Sequence, residues 1–141
     1  GVHGGHVNVT DGRYVYMRAP ARPGNDPLYE YTLMPTHMNR MFAPEELQNI
    51  ELAEPFSFTK GCRTMKIAVD GQRNWAQSYQ FGTRLYDLER DPTQEQTISD
   101  PTVEARMIEH LVCLMLENNA PPEQFERLGI EEPVLIPLRS T

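Results

Sequence analysis

Thr83-Arg84-Leu85-Tyr86-Asp87-Leu88-Glu89-Arg90-Asp91-Pro92 runs from an alternating strand pattern into a turn, and Asp100-Pro101-Thr102-Val103 then opens the longest helical pattern of the chain. Val103, Met107, Leu111 and Met115 recur at i, i+4 spacing, and Ile108 and Val112 widen the stripe. Glu104, Arg106, Glu109 and His110 mark the wet side. Asp100 is placed to cap the helix and Pro101 suits its first position. Asn118-Asn119 before Pro121-Pro122 closes it, because proline cannot continue a helix. Pro122 to Leu128 has room for one more short helix before Gly129.

Upstream the patterns are those of strands. His6 to Thr10 and Arg13 to Arg18 alternate on either side of Asp11-Gly12, which predicts a hairpin with a type I′ turn at that dipeptide. Val7 and Val9 would share its inner face. Ala19 to Pro27 carries three prolines, Gly24 and Asn25-Asp26, and reads as a loop. Leu28 to Leu33 is a strand pattern, Ala43 to Asn49 a short helix, Ile50 to Cys62 shows no clear element, and Thr64 to Val69 is a strand. A polar bridge holding Trp75 and Tyr79 leads to the strand at Thr83. Strands first and the long helix last, without βαβ alternation, predict an α+β fold: a small antiparallel β-sheet with a C-terminal helix packed on one face. Residues 1–141 read as a single domain with an extended tail over 129–141.

The chain has 141 residues, 39% of them hydrophobic, which suffices for one core. Thirteen Lys+Arg against twenty Asp+Glu give a net charge of −7, which argues against nucleic acid as a partner. No apolar run reaches the length of a membrane span. The start at Gly1, without a Met or a leader pattern, reads as a piece cut from a longer chain. Cys62 and Cys113 belong to no C-x-x-C pair. Cys113, inside the apolar helix pattern, is expected to be a buried, inert thiol, and two buried thiols favour a reducing, cytoplasmic setting slightly over an oxidising one.

Candidate chemistry is sparse. In His3-Gly4-Gly5-His6 the two glycines disfavour the helix that would bring both rings to one metal, and along a strand the rings point to opposite faces. A glycine-rich turn can still hold an imidazole toward a pocket. Asn8-Val9-Thr10 matches a glycosylation sequon but lies within a strand pattern. Cys62 precedes Arg63, a weak argument for an activated thiol. Glu45, Glu46, Asp87, Glu89, Asp91 and Glu95 fit no calcium-loop spacing. Neither a nucleophile elbow nor a phosphate-binding glycine loop is present.

Leu85-Tyr86-Asp87-Leu88-Glu89-Arg90-Asp91-Pro92 resembles the L-Y-D-L-x-x-D-P signature near the C-terminus of sulfatases, in the alkaline-phosphatase-like superfamily. The segment Gly4 to Tyr16 is similar to the hairpin that opens the same region in a bacterial branch of that family. Tyr29 to Pro35 and Pro55 to Cys62 are also similar to that branch. The chain departs at Thr93 to Ile98, where many sulfatases read G-E-x-x-N-L. The resemblance implies a non-catalytic C-terminal subdomain packed on an N-terminal catalytic domain of the same polypeptide, with sulfate-ester hydrolysis performed by the whole. Phosphodiester or phosphonate ester hydrolysis is the variant within the superfamily.

The family's formylglycine, made in a C/S-x-P-x-R motif, and its divalent cation, calcium or similar, belong to that missing domain. Cys62-Arg63-Thr64-Met65-Lys66 does not fit the motif, so no catalytic and no metal residue carries over. His3 and His6 are the residues expected to rim a substrate pocket. Alone, the piece is expected to expose an apolar face and to pair with a second copy. The other readings are a free-standing carbohydrate- or protein-binding module using Trp75 and the tyrosines, and an independent metal enzyme using His3 and His6.

Overall fold

A computed structural model describes residues 3–34, 36–37, 39–70 and 78–131, and among them are six short strands and two α-helices. The strands are β1 (Val7–Thr10), β2 (Tyr14–Arg18), β3 (Tyr29–Thr32), β4 (Glu51–Ala53), β5 (Thr64–Ala68) and β6 (Arg84–Asp87); the helices are α1 (Pro101–Glu117) and α2 (Pro122–Leu128). The fold is α+β and both sheets are antiparallel. The strands divide between two three-stranded sheets, β1-β2-β6 and β3-β5-β4, where the pattern suggested one.

Register explains the first sheet. Val9 pairs with Tyr16 and Tyr16 with Leu85, so three inward side chains form one row across it. That row is buried with Met107, Leu111 and Met115 of α1 and Phe125 and Leu128 of α2. Tyr16 is completely inaccessible to solvent, and a buried hydroxyl needs partners. It donates to Glu104 Oε1 (3.3 Å) and accepts from Arg18 Nη1 (3.1 Å). The other nitrogens of Arg18 donate to the carbonyls of Leu128 (2.8 Å) and Gly129 (3.1 Å), where α2 leaves carbonyls without helical partners.

The helix ends follow their sequence signals. Asp100 Oδ1 accepts from the amides of Thr102 and Val103, both at 3.1 Å. At the other end Asn119 takes a left-handed φ of 52°, and the Ala120 amide reaches the Met115 carbonyl (2.8 Å). Gly129 ends α2 in the same way, with φ 60° and Ile130 bonded to the Phe125 carbonyl (3.0 Å).

Four expectations are corrected. The hairpin turn is centred on Gly12-Arg13, with positive φ at Gly12 alone (95°), so it is not a type I′ turn at Asp11-Gly12. Asp11 stays at the strand end because its Oδ1 accepts from the Arg13 (3.0 Å) and Tyr14 (2.7 Å) amides. The helix expected over Ala43 to Asn49 is a single 3₁₀ turn, Pro44–Leu47. Strand β4 lies in the stretch that showed no clear element. Cys113 is exposed, as is Cys62, and neither is in a disulfide. Cys113 lies two residues from both Leu111 and Met115, about 200° round the helix from each, so it faces away from the core.

Two substitutions separate capping from packing. Asp100→Ala should cost about 1 kcal/mol and Leu111→Ala about 2–5 kcal/mol, read from urea unfolding. Equal small losses would contradict this placement of the core.

Candidate functional site

The His3–His6 segment is tied to five other residues. His3 Nε2 donates to the Tyr29 carbonyl of the second sheet (3.0 Å), and His6 Nε2 to the Gly82 carbonyl just before β6 (2.8 Å). Between them the Gly4 carbonyl accepts from Asn25 Nδ2 (2.8 Å) and Ser78 Oγ (3.0 Å), and more distantly from Arg127 Nη1 (3.5 Å). Gly4 has φ 72°, a conformation glycine adopts without strain. The two imidazoles that were expected to rim a pocket therefore each spend Nε2 on a backbone carbonyl and bind different elements.

Arg127 is the residue that sequence reasoning missed. It is 3% exposed, and among the described residues it has no carboxylate partner. Its guanidinium is held by neutral oxygens: Gln124 Oε1 (3.0 Å), Asn25 Oδ1 (2.9 Å) and the Gly4 and Gly5 carbonyls (3.5 Å each). Burial without a counter-charge pulls it down to about 10. Nothing in the local sequence announced this, because Arg127 lies in the last turn of a short helix, where a cation is ordinary.

A cleft of about 260 Å³ opens between the second sheet and the start of α2. Tyr31, Lys66, Ala53 and Glu51 come from neighbouring strands, Phe56 and Glu54 from the loop after β4, and Pro121, Pro122 and Glu123 from the helix corner. The Tyr31 hydroxyl donates to Glu123 Oε1, and Lys66 Nζ lies 3.6 Å from the same oxygen. Burial raises the Glu123 carboxyl above its ordinary range. The Phe56 ring meets Tyr31 edge-on (4.8 Å) and stacks on Phe58 (5.3 Å). Trp75, expected to join the aromatic set, lies outside the described residues.

The acidic residues serve as ties. Asp87 is buried and takes Arg13 on both oxygens (3.3 and 2.9 Å), which holds its carboxyl below the ordinary range. Asp91 accepts from the Gln96 amide (2.7 Å). Glu46 accepts from Arg40 (2.8 Å), the Ala43 amide (2.7 Å) and His37 Nε2 (2.8 Å), and these bonds, Arg40 foremost, pull it down to about 2. Among the described residues no cluster of three acidic, His or Cys side chains is arranged to hold a metal, and no helix is long and apolar enough to cross a membrane. Cys113 donates to Glu117 Oε1 (3.5 Å), and that carboxylate raises the thiol.

With this geometry in view, no family model matches the sequence, and neither characterised proteins nor solved structures show significant similarity to it.

Glu46 generates a pH dependence whose sign is fixed. Its carboxyl titrates near 2 when folded against an ordinary value of 4.5, so its ties stabilise the fold above about pH 4.5 and are lost as pH falls toward about 2. Melting temperatures followed through that window should fall less steeply in Glu46→Gln. Superimposable profiles for the two proteins would show that Glu46 is untied in solution.

Proposed function

We propose that the chain is the C-terminal, non-catalytic subdomain of a sulfatase-like hydrolase, packed on a catalytic domain of the same polypeptide. The observation that supports the reading best is the part that Leu85, Tyr86, Asp87, Asp91 and Pro92 play. Leu85 completes the core row, Tyr86 is buried on the opposite face, and Asp87 ties the last strand to the hairpin through Arg13. Asp91-Pro92 makes the turn toward α1, with the Gln94 amide on the Asp91 carbonyl (3.1 Å). A signature whose buried residues and turn build the strand-to-helix corner suits a supporting subdomain.

Exposed apolar side chains are the second support. Leu33, Met34, Met41, Leu52 and Phe58 are each 60% exposed or more, and all five come from β4 and the segments that follow β3 and β4. Single exposed apolar residues are ordinary, but a group on one part of a small chain marks a surface that another body covers. In the intact hydrolase that body is the catalytic domain; a second copy would take its place for the isolated chain.

On this reading sulfate-ester hydrolysis takes place upstream, on a formylglycine and a divalent cation that this chain does not supply. What these residues contribute is position. His3 and His6 lie at the N-terminal edge, where the chain would join the catalytic domain, and their ties to Tyr29 and Gly82 would hold the rim of a substrate pocket in place.

The reading frame upstream of the Gly1 codon tests this directly. A continuous stretch on the order of 300 residues containing C/S-x-P-x-R is expected, in keeping with domain-scale lengths. An initiator codon immediately before Gly1 would overturn the proposal.

A further inference from the structure

We infer that the cleft between the second sheet and the helix corner binds a cationic group on an apolar stem, an alkyl- or arylammonium or a guanidinium. This inference does not rest on the sulfatase-like reading. It rests on the shape of the cleft and on the charge and rings that line it.

The volume of about 260 Å³ is just below the range of small-ligand pockets and suits one ring or one side-chain head group. Its walls are apolar: Ala53, Pro55, Phe56, Pro121 and Pro122. Its polar groups are three carboxylates, one ammonium and one phenol. The ammonium is already engaged, because Lys66 Nζ lies 3.6 Å from Glu123 and 4.2 Å from the centre of the Tyr29 ring. Glu54 is paired with Arg63. Glu51 has no ion pair among the described residues, and both bonds to Glu123 fall on Oε1, leaving its second oxygen without a described partner.

The cleft thus has a surplus of negative charge beside the rings of Tyr31 and Phe56, and ring faces attract cations. An anion there would face Glu51, Glu54 and Glu123 with only a committed lysine to receive it. A bound ammonium would gain charge-assisted hydrogen bonds to Glu123 and Glu51 while its stem covers the prolines.

Binding should also weaken on acidification. Burial already raises the Glu123 carboxyl, so its ionised form, the one that receives a cation, is lost early as pH falls. The other titratable groups facing it are Tyr31, Lys66, Glu51 and Glu54.

The test is an amide-resolved NMR titration of the 141-residue chain with benzylammonium, its neutral counterpart benzyl alcohol, and N-acetylarginine amide. Saturable shifts confined to Ala53, Phe56, Lys66 and Glu123 are expected for the cations, with benzyl alcohol about tenfold weaker or more. Glu123→Gln should weaken the cations by a similar factor and leave benzyl alcohol unchanged. Glu51→Gln, on the open rim and no part of the fold's ties, keeps the question answerable if Glu123→Gln loosens the corner; a loss of about threefold is expected there. Tighter binding of the arginine amide supports a peptide as the source of the cation, and tighter benzylammonium a free amine. Equal binding of alcohol and ammonium, or no saturable shift in the cleft at millimolar concentration, overturns the inference.

Discussion

One row of side chains, Val9, Tyr16 and Leu85, holds this molecule together. It crosses all three strands of the first sheet and meets the apolar stripe of α1 and the end of α2. Because Tyr16 is wholly buried, its hydroxyl must be satisfied inside, and the two residues that do so bring further elements with them. Glu104 comes from the first turns of α1. Arg18 reaches on to the last carbonyls of α2. A single buried phenol thereby fixes the relative placement of the hairpin, the last strand and both helices.

The second sheet is built differently. Its buried residues are few, Leu28, Phe42, Thr64 and Ile67, and none joins the main apolar cluster. Polar contacts tie it to the rest: Tyr31 and Lys66 to Glu123, and the Tyr29 carbonyl to His3. Polar and surface-exposed ties of this kind contribute modestly compared with burial of apolar area. Most of the exposed large apolar side chains belong to this half. The molecule is thus asymmetric, with a well-packed half and a thin half that leaves apolar groups in water.

The strong local signals in the sequence were legible and the long-range ones were not. The i, i+4 stripe, the Asp100 cap and the Asn119 stop are interactions within one helix, and α1 begins and ends where they direct. The hairpin was equally readable, but its turn moved by one residue because the Asp11 carboxylate competes for two amides, a choice that spacing alone does not reveal. Strand β4 has only three residues and depends on β5 as its partner, so no periodicity exposes it. Cys113 illustrates a different failure. An apolar neighbourhood in sequence was taken for burial, whereas the helix turns that residue outward. The His3–His6 pair was visible as a motif, yet its anchors Tyr29, Gly82 and Arg127 lie far along the chain. The cleft draws on residues 31, 51–56, 66 and 121–123, which only the fold brings together.

Residue-resolved native-state hydrogen exchange tests this division of the molecule most directly. The ladder amides of β2 and β6 and the middle of α1 should exchange only through global unfolding. Those of β3 and β5 should open at lower free energy and exchange at least about tenfold faster in the isolated chain. Uniform protection across both sheets would contradict the account, since the second sheet would then be held as firmly as the first.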